Sequence, residues 1–448
     1  MVASRTTTAA TDPDLGRALS PSERWFWVVD RISPSNCCGR IRLHGRVDPA
    51  SLERAAAALV AEYPLLRLGI SAPGNRDPRL IPVTAPRIPL RRLESGDPDE
   101  WLRELDAEMA EPFDAGTGLA RLVDIVNAAD TAGETHDIIL TISHIIADGR
   151  SLMAVLRKLI TYAATGEFEA ARTPIPPSDE LIPAAARGFW RYAYTTLYDQ
   201  VAALLLRPRR LIGPAPVPLP DRRTRIVHRS LTADQLSALV SDCRAAGVTV
   251  HGALAAAVAR SIGAAADSGP RGVAGIGSPV DFRGLLEPAP EPDELGIYAP
   301  VLTGFVPFGA RVSLWEAARA VNRQVARGVR QRRHLATVAG MRFGAPRTVA
   351  SGWRVAEMVD RRAPWNVSVT NLGRVEFPEK AGEWRLSGLV LAAGNSCVSA
   401  MTVAVVTAHD ELHIGFCHVD RILPEAAAAA FADDVLAALL DRPAPSGQ

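Results

Sequence analysis

Residues 136–160 read HDIILTISHIIADGRSLMAVLRKLI, and this stretch decides the fold. His136 to Ser143 is a short apolar run rich in β-branched residues, the pattern of a strand. Beyond it, Leu152, Val155, Leu156, Leu159 and Ile160 recur at helical spacing, with Ser151 placed as an N-cap. Between strand and helix lies Ser143-His144-Ile145-Ile146-Ala147-Asp148-Gly149. A strand that ends on His144, turns tightly and enters a helix presents one imidazole at the end of an element. Asp148, four residues on, is spaced to fix the loop, and Gly149 is expected to take a backbone angle that other residues resist. A histidine in a turn is by itself more often structural. The spacing His-x-x-x-Asp-Gly between strand and helix is what turns the reading towards chemistry.

Outward from this unit, the chain divides. Residues 1–18 are small, polar and turn-rich, and read as a disordered tail. A first lobe is expected over 19–165. It opens with a helix capped by Ser20 and Glu23 and holds a strand at Ile41 to His44 and a helix that Pro64 stops. Residues 166–223 are proline-dense and predict a crossover, with one surface helix over Ala184 to Leu206. A second lobe is expected over 224–442, again mixing helices and strands, before a polar tail at 443–448. The order strand, long helix, strands, helix appears roughly twice, which predicts an α/β (α+β) protein of two similar lobes.

Composition narrows the function. Lys+Arg number 50 and Asp+Glu 49, so no long-range field steers the protein to nucleic acid or an anionic surface. No apolar run approaches the ~20 residues of a membrane span. Five cysteines (Cys37, Cys38, Cys243, Cys397, Cys417) have no metal-type spacing, and the N-terminus lacks the apolar core of a signal peptide. A cytoplasmic location is the expectation. His409, His413 and His418 lie on or near one hairpin, read as a solvated strand pair rather than a metal site. The basic run Arg323 to His334 reads as a solvated helix face, with a docking surface for CoA phosphates or an acidic carrier-protein helix as the sharper alternative.

HIIADG resembles the HxxxDG motif of the superfamily that includes chloramphenicol acetyltransferase, condensation domains of nonribosomal peptide synthetases, plant BAHD-type acyltransferases, alcohol acetyltransferases and the polyketide-associated phthiocerol dimycocerosyl transferases. Five further segments agree in order: LSPSERWFW, EYPLLR (with Tyr63 where histidine is commoner), EPFDAGTGLARLVDIV, SPVDFRGLL and WNVSVTNLGR. The resemblance runs from about residue 19 to 440. Two departures matter: Ser143 stands where condensation domains carry a first histidine, and no DFGWG segment is present. The chain is therefore most similar to the polyketide-associated and alcohol acyltransferase members.

The resemblance implies two pseudo-symmetric chloramphenicol acetyltransferase-like lobes, each a mixed sheet flanked by helices, with the active site in a tunnel between them. It implies an acyltransferase in which His144 is the general base that deprotonates a hydroxyl or amine attacking a thioester, without an acyl-enzyme. Asp148 is then structural and paired with the second-lobe Arg283, with Asp281 as competitor. Gly149 completes the motif, and Ser143, Thr370 and Asn371 are candidate substrate contacts, the last two for a developing oxyanion. No tightly bound cofactor or metal is expected. Acyl-CoA or a phosphopantetheinyl thioester is the donor, and the acceptor a small molecule, a secondary metabolite or lipid. An acyl carrier protein is a candidate partner, and a monomer is the expectation. The alternatives are cyclisation or dehydration on the same fold, or a catalytically silent docking partner in an assembly line.

Overall fold

The computed structural model describes residues 15–114, 116–130, 133–265, 271–394 and 397–441. The strand runs assemble into two six-stranded sheets and a small three-stranded one. The first large sheet runs, in spatial order, Lys380–Ala381, Trp384–Ala393, Asn36–His44, Gly133–Ser143, Ala120–Asp130 and Leu90–Ser95. The second runs Val301–Gly309, Arg271–Pro279, Val367–Arg374, Met401–Ala408, Glu411–Val419 and Thr224–Leu231. Each mixes parallel and antiparallel pairs. The protein is thus an α/β fold of two sheets flanked by helices.

The strand that delivers His144 is central in its sheet and buried on both faces from His136 onward. Double burial explains why HDIILTIS is a continuous apolar run rather than an alternating one. One face packs on the helices Pro49–Glu62 and Gly149–Thr165. The other packs on Glu100–Ala110 through Trp101, Leu105 and Met109. In the second lobe the helix Val250–Ala265 is largely apolar and buried and lies beneath the sheet, clamped by Leu314–Arg330 and Glu425–Leu440. The opening helix Pro21–Ile32 carries the expected capping box of Ser20 and Glu23.

Four expectations change. Residues 380–393 leave the second lobe and add two strands to the first sheet, so the boundary at 224–442 does not describe two self-contained sheets. The alternation in that segment specifies a strand but not the sheet it joins. The join is locked where Trp384–Ala393 bulges against Asn36–His44. There Gly388 has φ +63, its carbonyl accepts from Arg40 Nη1 at 2.7 Å, and a Cβ would lie 2.4 Å from that nitrogen. Second, ordered chain begins before residue 19: Arg17–Ala18 pairs antiparallel with Arg79–Pro82. Residues 1–14 of the expected tail, and 443–448 at the other end, lie outside the described residues. Third, the hairpin of Met401–Ala408 and Glu411–Val419 is not solvated but central and buried. Its histidines face separate partners: His413 Nδ1 meets His228 Nε2, His418 Nδ1 meets the Leu423 carbonyl, and His409 Nε2 the Pro378 carbonyl. Fourth, the crossover helix is Phe189–Leu206, separated by Arg187 and Gly188 from a single turn at Ala184–Ala186.

Candidate active site

His144 sits just beyond its strand, where its backbone N–H donates to the Ser35 carbonyl. Phe26, from the opening helix, stacks on the imidazole with centroids 4.1 Å apart. The ring keeps some solvent exposure, but Nδ1 is buried and has no hydrogen bond of good geometry. Burial pushes the imidazole below its ordinary value. The Asp148 charge and the carbonyls of His144 and Ala147, which lie against the ring, recover only part of that shift. The free base is the form present at neutral pH.

Asp148 is buried and spent. Its Oδ1 accepts from Arg283 Nη2 at 2.9 Å and from the Ser151 N–H at 2.9 Å, and its Oδ2 accepts from the Tyr298 N–H at 3.0 Å. Asp148, not Ser151, is therefore the N-cap of the helix Gly149–Thr165. Ser151 supplies the N–H that is capped, and its hydroxyl accepts from Arg283 Nη2 at 2.8 Å. Burial alone would raise the Asp148 carboxyl. Arg283 and the two N–H donors outweigh it and hold the group below the usual carboxylate range. Arg283 does not choose between acids: its Nη1 also bonds Asp281 Oδ1 at 3.1 Å while its guanidinium covers the Tyr298 ring.

Gly149 is the first residue of the helix and lies outside the left-handed region, contrary to the expected special angle. What it provides is space. A Cβ there would lie 3.3 Å from Leu391 Cδ2 and 3.5 Å from Leu372 Cδ2, at the tips of strands from both sheets. Ser143 is buried, its hydroxyl accepting weakly from the Ile145 N–H at 3.4 Å. It helps line a cavity of about 190 Å³ together with Trp27, Asp30, Arg31, Phe113 and Ile145. On the other side of the loop, Arg150, Met153, Leu372 and Arg374 line a cleft of about 280 Å³ where the second sheet meets the motif helix. Thr370 and Asn371 are half-buried at the end of Val367–Arg374, next to Leu372. Asn371 Oδ1 accepts from the Gly373 N–H at 2.8 Å, so its carbonyl belongs to a strand-ending turn and only its amide N–H₂ is free to face a reactant.

Several contributors carry no local signal. Tyr298 and the loop 294–298 reach the motif only through tertiary folding, with the Gly296 carbonyl accepting from the Asp148 N–H and Ser151 Oγ. Lys158, one of two lysines in the chain, centres a buried charge network. Its Nζ donates to Glu62 and Glu169 at 2.6 Å each, and Arg172 bridges Glu62 to Asp293. Glu62, Glu169 and Asp293 are close enough together to suggest a metal, but Lys158 and Arg172 already neutralise them. In the basic run, Arg323, Arg327 and Arg330 are exposed, whereas Arg333 is buried against Asp199 and Tyr198, so that stretch is not one solvated face.

Two mixed sheets with a histidine loop held at their seam define the class as a two-lobed, chloramphenicol acetyltransferase-like fold. Residues 220–416 match the family model described as phthiocerol/phthiodiolone dimycocerosyl transferase C-terminus. The polyketide synthase associated protein 5 of Mycobacterium tuberculosis superimposes with a TM-score of 0.67 at 15% identity, over 95% of this chain and 97% of that one. A variant of the starter condensation domain of rhizomide synthetase, in complex with C8-CoA and Leu-SNAC, gives 0.68 at 16% identity, over 97% and 96%. A linear gramicidin synthase polypeptide of Brevibacillus parabrevis is 27% identical over 238 residues, which is 50% of this chain and only 4% of that protein's length. The chain thus has the fold of condensation domains and, over residues 220–416, matches the model of a transferase family. Among the described residues no single helix is long and apolar enough to cross a membrane.

Proposed function

We propose that the protein transfers an acyl group from a CoA or carrier-protein thioester to the hydroxyl or amine of a small-molecule acceptor, with His144 as general base. The observation that carries this reading is the contrast between the two motif side chains. Asp148 has both carboxylate oxygens committed to hydrogen bonds, whereas His144 Nδ1 has no hydrogen-bond partner and burial keeps the ring as the free base. Nδ1 is buried, which leaves Nε2 to face a reactant. Nε2 is then the lone pair offered to the acceptor. It takes the acceptor's proton as the acceptor oxygen or nitrogen attacks the thioester carbonyl, and the thiolate leaves. A thiol is a good enough leaving group that no acyl-enzyme is needed.

Residues of the second sheet near the cleft, Thr370 and the Asn371 amide, are assigned to steady the carbonyl oxygen. The CoA bound by the rhizomide synthetase domain supports a CoA-type donor here. The test is release of free thiol from a panel of acyl-CoAs, comparing wild type with His144→Ala. A loss of ~100- to 10,000-fold is expected. A loss below about tenfold removes His144 from the base role.

A further inference from the structure

The crossover helix Phe189–Leu206 is inverted relative to an ordinary surface helix. Its one carboxylate, Asp199, points into the protein, where it pairs with the buried Arg333 and accepts from Thr303 Oγ1 at 3.2 Å. Phe189 packs on Phe343, and Arg333 covers the Tyr198 ring, so the helix is pinned in this orientation. Its apolar side faces out. Trp190 is 82% exposed, Tyr194 58%, Leu197 62%, Leu204 73% and Leu205 75%, a stripe at helical spacing, and Ile212 beyond it is 87% exposed. With Phe189, Tyr198, Val201 and Leu206 these side chains present on the order of 1,000 Å² of surface, well above the largest apolar patch of a typical monomer. The apolar stripe of an amphipathic helix normally faces a core or a partner. Here that stripe faces solvent.

The charges around the patch decide what covers it. Between residues 184 and 212 the remaining charged side chains are Arg187, Arg191, Arg207, Arg209 and Arg210, at both ends and one flank, and none is acidic. Two copies meeting through this face would set arginines against arginines in either direction. Aromatic rings with polar tips at one end, leucines at the other and a rim of arginine fit a surface that is apolar beneath and anionic on top. We propose that this helix is an interfacial membrane anchor that seats the protein on anionic phospholipid, with Trp190, Leu204 and Leu205 inserted and Arg191, Arg207 and Arg209 at the phosphates. It lies in the interface and does not span it. The net charge of +1 makes the attraction local to this rim rather than a property of the whole molecule.

The test is cosedimentation of the full chain with vesicles of phosphatidylcholine alone and of phosphatidylcholine mixed with phosphatidylglycerol. Binding is expected to the mixed vesicles, at least tenfold weaker to phosphatidylcholine alone, and reduced by salt. The triple variant Trp190→Ser, Leu204→Ser, Leu205→Ser is expected to lose binding at least tenfold. Arg207→Gln with Arg209→Gln is expected to lose only the preference for phosphatidylglycerol. Circular dichroism and thiol release, which involve none of these residues, should be unchanged. Quenching by brominated phosphatidylcholine should fall on Trp190→Phe, which separates insertion from adsorption. No vesicle binding overturns the proposal. So does a dimer in vesicle-free solution that the triple variant dissociates, or binding to a carrier protein that the triple variant abolishes while vesicle binding persists.

Discussion

Replacing Arg283 with methionine asks whether the Asp148 carboxylate is a latch between the lobes. Methionine keeps much of the apolar stem and removes the guanidinium. Asp148 would lose its bond to Nη2 at 2.9 Å and keep the N–H groups of Ser151 and Tyr298. It is 3% exposed, so the carboxylate is left in a largely dry site. Stripping one member from a buried ion pair costs ~3–5 kcal/mol, and the two remaining donors put the expectation at the lower end, about 3 kcal/mol. The pH dependence gives a second signature. With Arg283 present, the folded-state value of Asp148 is depressed. The stability it contributes is therefore present above the unfolded value of ~3.9 and lost as pH falls through the lower folded value. Without Arg283, burial is the dominant influence and the folded-state value rises above the unfolded one. The penalty is then largest at neutral pH and shrinks on acidification, as the carboxyl takes up a proton. Urea unfolding followed by circular dichroism near neutral pH and near pH ~5 reads both effects. Arg283→Met should be markedly less stable at neutral pH, with the gap to wild type narrowing at the lower pH. Asp148→Asn combined with Arg283→Met should cost less than the sum of the single changes. A gap under about 1 kcal/mol at neutral pH, or one that widens on acidification, refutes the latch.

Two further outcomes follow from buried groups. Because burial lowers the His144 value, the proposed base role requires kcat/KM to hold its plateau down to below pH ~6.5 and fall only at more acid pH. Phe26→Ala opens one face of the ring to water and should move that acid limb upward, while costing far less rate than His144→Ala. An unmoved limb means the stacked ring does not set the histidine's solvation. In the charge network, burial tends to raise Asp293, but Arg172 and Lys158 pull it down to about 2, so its contribution is present above ~3.9 and lost as pH falls towards 2. Lys158→Met should lower stability by about 3 kcal/mol at neutral pH and shift acid unfolding upward, measured by the same urea series. An acid limb identical to wild type would separate Lys158 from Asp293.

What the chain's residues announce and what they conceal divide along the range of the interactions. The strand, turn and helix around His144, and the capping box of Ser20 and Glu23, are local patterns and stand in the structure at the expected places. The cap of the motif helix is ambiguous in the sequence because serine and aspartate are both good caps. Only the loop geometry makes Asp148 the acceptor and Ser151 the donor. Gly149 misleads for a related reason: a glycine after aspartate suggests a turn angle, whereas the demand is for room against Leu372 and Leu391. The strand Trp384–Ala393, the Tyr298 N–H and the anchoring of Arg333 depend on segments far apart in sequence, and no periodicity reports them.

The seam between the lobes assigns its polar groups in a consistent way. Each of these ionised side chains near the motif is paired: Asp148 with Arg283, Asp281 with Arg283, and Glu62 and Asp293 with Lys158 and Arg172. Groups so engaged hold the second-lobe loop 281–298 against the first lobe, and none of them is available to relay a proton to or from His144. The imidazole is oriented instead by neutral neighbours, the Phe26 ring and backbone carbonyls. A carboxylate bonded to Nδ1 would stabilise the imidazolium and raise its pKa, leaving a smaller share of the ring as free base at neutral pH. The separation of Asp148 from the ring by its own loop therefore has a chemical consequence. The residue that anchors the site is near enough to fix it and too committed elsewhere to protonate it.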